Sequence, residues 1–158
     1  MQKISPFLWF DTQAEEAANF YVGVFKNSKI TKIVRWTEGG PAPAGTVLTI
    51  SFNLDGQEFT ALNGGPQFKF TEAVSFSISC ATQEEVDYYW SILTSGGGQE
   101  SMCGWLKDKY GLSWQVVPDA LVRMLSDQDS TKAQRVTQAL MQMKKLDIAG
   151  LQRAYDGK

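Results

Sequence analysis

"FDTQAEEAANFY" (residues 10–21) and "CATQEEVDYYW" (residues 80–90) are two copies of one pattern. Each follows a short apolar stretch, sets Thr-Gln ahead of paired glutamates, and runs into aromatics. The stretches before them match as well: "SPFLWF" lies over "SFSISC" at an offset of about 70. Farther on, "GQEFTALN" lies over "GLSWQVVP" at an offset of about 55. Two copies are too few for a solenoid, so the pattern predicts two halves of similar build.

The segments between follow from periodicity and turn chemistry. "ISPFLWF" (4–10) reads as a strand, with Pro6 limiting it near its start. Asp11 or Thr12 suits the N-cap of a helix over 13–25, whose Ala17, Phe20, Tyr21 and Val24 recur at helical spacing. A strand is expected over 30–37 and a loop over 38–45. A strand over 46–54 places Leu48, Ile50, Phe52 and Leu54 on one face. Asp55-Gly56 predicts a hairpin turn into a strand over 57–64. After a linker the order restarts. A strand over 74–80 has Val74, Phe76 and Ile78 on one face, a helix follows, and strands are expected over 98–106, kinked at Gly104, and over 112–118. Three helices fill 119–157, with Val136, Ala139, Leu140 and Met143 as one stripe and Ile148, Leu151 and Tyr155 as another.

This order predicts an α+β fold of paired βαβββ modules forming a curved mixed sheet. The expected domain covers 1–120, with module 1 at about 3–64 and module 2 at about 73–118, followed by a helical extension over 121–158. Apolar residues make up 43% of the chain and charged residues 20%, enough for a core. The formal net charge of −2, without a basic cluster, points away from nucleic acid. No apolar run approaches the ~18 residues of a membrane span, and the N-terminus has no signal-peptide pattern, so the expected home is the cytoplasm.

There is no histidine in the chain. Ser-His-Asp and Cys-His nucleophiles, histidine bases and histidine metal ligands are all excluded. Cys80 and Cys103 lack a metal-ligand spacing and read as small buried hydrophobes. "NGG" (63–65) and "GGG" (96–98) lack the lysine and hydroxyl of a phosphate loop. The Gly-rich turn and acidic residue of an S-adenosylmethionine-binding Rossmann domain are likewise not found.

"FLWFDTQAEEAANFY", "ALNGGPQFKFTEAVSFSISC", "QEEVDYYWSIL" and "CGWLKDKYGLSWQVVP" resemble the PhnB-like family. That family is also labelled 3-demethylubiquinone-9 3-methyltransferase-like. It lies within the glyoxalase/bleomycin resistance/dioxygenase (vicinal oxygen chelate) superfamily. The resemblance covers about residues 3–120. It implies the paired-module fold, a homodimer, and, in the superfamily's enzymes, a divalent metal held from the first and last strands of each module.

With the apolar faces packed on the helices, the period of two turns Phe7, Trp9, Glu58, Thr60, Ser77 and Gln115 the other way. These six are the expected ligand-binding residues, facing one trough between the halves. Glu58 and Gln115 would be polar anchors, and Phe7 and Trp9 an apolar wall. The metal-ligand positions implied by the resemblance fall near Ser5 or Phe7, Thr60, Ser75 or Ser77, and Gln115. Hydroxyls and amides there suit zinc poorly, so no metal and no other cofactor is expected. The function read from the sequence is the binding of a small apolar or aromatic molecule. The alternatives are a divalent-metal lyase, isomerase or dioxygenase, and a dimeric interaction module.

Overall fold

A computed structural model describes residues 2–158. They form two compact units, divided between Phe70 and Thr71.

The first unit is one βαβββ module: β1 (Phe7–Phe10), α1 (Ala14–Val24), β2 (Lys29–Arg35), β3 (Val47–Leu54) and β4 (Gln57–Asn63). Its sheet has the order β1-β4-β3-β2, with β1 parallel to β4 and the other pairs antiparallel. The alternation foreseen along β3 holds from Ile50 onward, whereas Leu48 is only half-buried and Val47 is buried beside it. Ile50, Phe52 and Leu54 are buried, and Tyr21 of α1 stacks on Phe52 at 6.3 Å. Phe52 stacks on Phe59 at 5.4 Å. Each large side chain fully buried in this way contributes about 1.5–3 kcal/mol.

Helix α1 starts differently from the expectation. Neither Asp11 nor Thr12 caps it; Gln13 holds the N-cap position and its side chain caps nothing. The free N–H of Ala14 goes instead to Asn63 Oδ1 at 2.8 Å, and Asn63 Nδ2 donates to the Val47 carbonyl at 3.1 Å. One side chain at the end of β4 thus satisfies an orphan helix donor and fixes the start of β3. Strand β1 is shorter than 4–10: Ile4 is exposed and pairing begins at Phe7.

The second unit repeats the module and adds three helices. Its elements are β5 (Ser75–Cys80), α2 (Gln83–Thr94), β6 (Gln99–Glu100), β7 (Trp105–Lys107), β8 (Ser113–Pro118), α3 (Asp119–Leu125), α4 (Ser130–Leu140) and α5 (Ile148–Asp156). Strand order is β5-β8-β7-β6, the counterpart of the first sheet. The single strand expected over 98–106 is in fact two strands. Cys103 and Gly104 both have positive φ, 61° and 82°, and turn the chain back so that β6 and β7 pair antiparallel. The second module is therefore complete. Val74, expected on the apolar face, precedes β5 and is exposed.

Thr82 does cap α2, accepting from the Glu85 N–H at 3.2 Å, while the Glu85 carboxylate accepts from the Ala81 N–H at 2.7 Å. The neighbouring Gln83 does what Gln13 does not. Its Nε2 donates to the Leu146 carbonyl at 3.0 Å and its Oε1 accepts from the Ile148 N–H at 2.8 Å. That pair of bonds seats the start of α5 against α2. Leu121, Met124, Val136, Leu146 and Leu151 form the core of the helical part, with Leu140, Met143 and Tyr155 packed on it. Among the described residues no helix is long and apolar enough to cross a membrane.

Candidate functional site

Strand register places the expected site residues within each unit. In the first sheet Phe7 lies opposite Thr60, and Glu58 and Thr60 lie opposite Asn53 and Ser51. Phe7, Trp9, Glu58 and Thr60 therefore share the face turned away from α1. In the second sheet Ser77 lies opposite Gln115, which lies opposite Trp105. The two pairs correspond through the repeat: Phe7 with Ser77, and Thr60 with Gln115.

The polar members of these faces are bonded locally. The Thr60 and Ser51 hydroxyls are 3.2 Å apart, and Gln115 Nε2 donates to Ser75 Oγ at 3.0 Å. Phe7 is 61% exposed, an apolar ring left open on the face. Trp9 is tied down instead. Its Nε1 donates to the Gly65 carbonyl at 2.9 Å, and Phe68 meets its ring edge-on at 5.0 Å. It serves first to hold the 64–68 segment against the sheet.

A cavity of the first unit, about 540 Å³, lies where β3 and β4 meet the loop over 38–45. None of the six expected residues lines it. Its apolar wall is Trp36, Pro41, Pro43, Val47, Leu48 and Leu62, with Asp11, Thr12 and Asn63 as polar groups. Trp36 was expected inside a strand but follows the end of β2.

The loop is fixed by its own bonds. Trp36 N–H donates to the Thr46 carbonyl at 2.8 Å and Gly45 N–H to the Trp36 carbonyl at 2.9 Å. Thr46 Oγ1 donates to the Pro43 carbonyl at 2.7 Å. Arg35 reaches the Gly45 carbonyl at 3.0 Å and pairs with Glu15 of α1 at 3.0 Å. Prolines at 41 and 43 remove backbone freedom, so the wall is largely formed before any ligand arrives.

In the second unit Asp108 is buried, and its carboxylate accepts from the N–H groups of Tyr110 and Leu112 and from Trp114 Nε1. It braces the β7–β8 turn. Burial, with the carboxylates of Glu85 and Asp119 adding to it, pushes the Cys80 thiol up to about 12, so it is not a nucleophile.

The model of the 3-demethylubiquinone-9 3-methyltransferase family matches residues 2–117. The chain belongs to this PhnB-like family. A PhnB protein from Bacillus cereus is 41% identical, with 74% of this chain and 99% of that one covered and a TM-score of 0.69. Protein PA1353 from Pseudomonas aeruginosa is similar in fold, at 18% identity, 75% and 98% coverage, and a TM-score of 0.61. So is protein SA1046 from S. aureus, at 18% identity, 73% and 96% coverage, and a TM-score of 0.50. No curated protein matches. Helices α3 to α5 lie beyond the family match.

The metal implied for this PhnB-like chain by its superfamily can be tested against its donors. Of Glu58, Thr60, Ser77 and Gln115, one is a carboxylate, and the Gln115 amide and Thr60 hydroxyl already have partners. Among the described residues no group of three or more Cys, Asp or Glu could hold a metal ion. Such a set does not fit zinc or its neighbours, which want imidazole, thiolate and carboxylate.

Proposed function

We propose that this PhnB-like protein binds a small, planar, apolar or aromatic molecule, without a catalytic metal. The observation that carries this reading is the preformed cavity beside Trp36. Its volume of about 540 Å³ lies within the range of roughly 300–1,000 Å³ typical of small-molecule sites. Trp36 and Leu62 would sandwich the ring, Pro41 and Pro43 would close its edge, and Asp11 or Thr12 would take one hydroxyl or amine.

The protein does this as a homodimer. Strand β2 is an edge, and it leaves Ile33 and Val34 exposed at 40% and 37%. Unpaired apolar edges favour cover by a second chain. Light scattering at micromolar concentration gives twice the chain mass on this reading; the monomer mass contradicts it.

Binding is tested by thermal shift with naphthol as probe. A ligand held by the folded state alone raises the melting temperature in proportion to the logarithm of its concentration. The wild type should show that rise and Trp36→Ala should not. Equal shifts in both would place the binding elsewhere.

A further inference from the structure

The second unit holds a cavity of another chemical kind, about 370 Å³ in volume. Glu72, Gln99, Glu100, Ser101, Trp105, Leu106, Lys107 and Ser113 line it. Six of these eight are polar or charged, against the largely apolar wall beside Trp36.

Ser113 marks it as more than a surface dent. The residue is 1% exposed, and its Oγ has no hydrogen-bond partner among the described residues. It sits on β8 between Ser75 of β5 and Lys107 of β7, on the face shared with Gln115. A buried hydroxyl left without a partner is costly, and native structures rarely keep one unless something else fills the bond. Across the cavity Lys107 pairs with Glu72, and the ammonium holds the Glu72 carboxyl below the usual carboxylate range. Glu72 therefore stays charged at neutral pH. Trp105 lies half-buried beside them, and its indole N–H has no partner among the described residues.

The geometry points to a second binding site here, for a neutral polyhydroxyl molecule about the size of a monosaccharide. The argument is one of donors and acceptors. Glu72 only accepts, Lys107 only donates, Gln99 does both, and Ser113 lacks either kind of partner. A ligand carboxylate would face Glu72 and a ligand ammonium would face Lys107, each a like-charge contact. A hydroxyl donates and accepts at once, so adjacent hydroxyls meet the carboxylate, the ammonium and Ser113 without a charge conflict. The C–H face of a sugar or cyclitol ring would lie on the Trp105 indole, which buries apolar area and keeps its N–H free to bond.

The test is a titration of the isotope-labelled full chain with myo-inositol, following the indole resonance of Trp105. A saturable shift in the millimolar range is expected, with the Trp36 indole unmoved, so that this site reads separately from the aromatic one. Ser113→Ala keeps the spectrum of the folded protein and weakens binding about tenfold, the loss of roughly one hydrogen bond. Trp105→Leu, a second variant, removes the stacking surface and abolishes saturation. No saturable shift in the wild type overturns the proposal. So does unchanged affinity in Ser113→Ala, or tighter binding of acetate or ethylamine than of the polyol.

Discussion

The indole of Trp9 fills the space that any side chain at position 64 would need: a Cβ built on Gly64 falls 2.4 Å from the ring. Through this contact and the bond from Trp9 Nε1 to the Gly65 carbonyl, the start of the linker is locked to β1. Gly64 and Gly65 also form part of the rim of the cavity beside Trp36.

Gly64→Ala should therefore push the indole away and break the Gly65 bond. Overpacking of this kind costs about 1–3 kcal/mol. Denaturant unfolding should show that loss, and exchange of the Trp9 indole proton should speed up. A variant as stable as wild type, with the indole proton still protected, would mean the ring has room to move.

Gln83→Ala should free the junction between α4 and α5. It leaves the Leu146 carbonyl, on a fully buried residue, and the Ile148 N–H without their partner, a loss of about 1–3 kcal/mol. Hydrogen exchange should rise at Ile148 and the first turn of α5 while β8 stays protected. Uniform loss of protection across the second unit would show that the helices do not loosen separately.

The helical part should weaken at both ends of the pH scale. The Tyr155 hydroxyl donates to Asp127, and that bond holds the Asp127 carboxyl below its usual range and lifts the Tyr155 hydroxyl above its own. Lys145 and Gln83 lower Asp87 in the same way. A depressed carboxylate contributes stability above its unfolded value of about 3.9, lost as pH falls through the folded one. A raised tyrosine contributes below its unfolded value of about 10, lost as pH rises through the folded one. Asp87 is exposed and Asp127 and Tyr155 are only half-buried, so salt should shrink both effects. Tyr155→Phe should remove the alkaline arm and reduce the acid arm, read from the Leu151 methyl resonance.

The two cysteines should separate by reactivity. Cys80 is fully buried with a raised thiol, whereas Cys103 is partly exposed in the turn between β6 and β7. A thiol reagent should label one cysteine in the native protein and two after denaturation. Rapid labelling of Cys80 in the native state would contradict its place in the core.

Much of the fold was legible because the chain states it twice. The matched offsets carry Phe7 and Thr60 onto Ser77 and Gln115, and both pairs are register partners. The break between β6 and β7 was legible only as a kink at Gly104, because the full turn also rests on Cys103 at φ 61°, a conformation its residue type does not announce. Asn63, Gln83 and Asp108 were missed for a different reason. Asn63 and Gln83 bond to residues 49 and 63 positions away, and no local pattern records such partners. Asp108 acts within its own turn, but its burial depends on the sheet around it. The Trp36 cavity was hidden likewise, since a loop read from composition had to be placed over the ends of β3 and β4 before it had a wall.

The central claim is that the Trp36 cavity takes a small aromatic molecule, and a resonance-by-resonance titration of the labelled protein with naphthol tests it most directly. The account predicts saturable shifts of the Trp36 indole and of the Leu48 and Leu62 methyls, which all line the cavity, and their loss in Trp36→Ala. Naphthol that leaves those resonances in place, or moves signals over the whole surface without saturation, would contradict it.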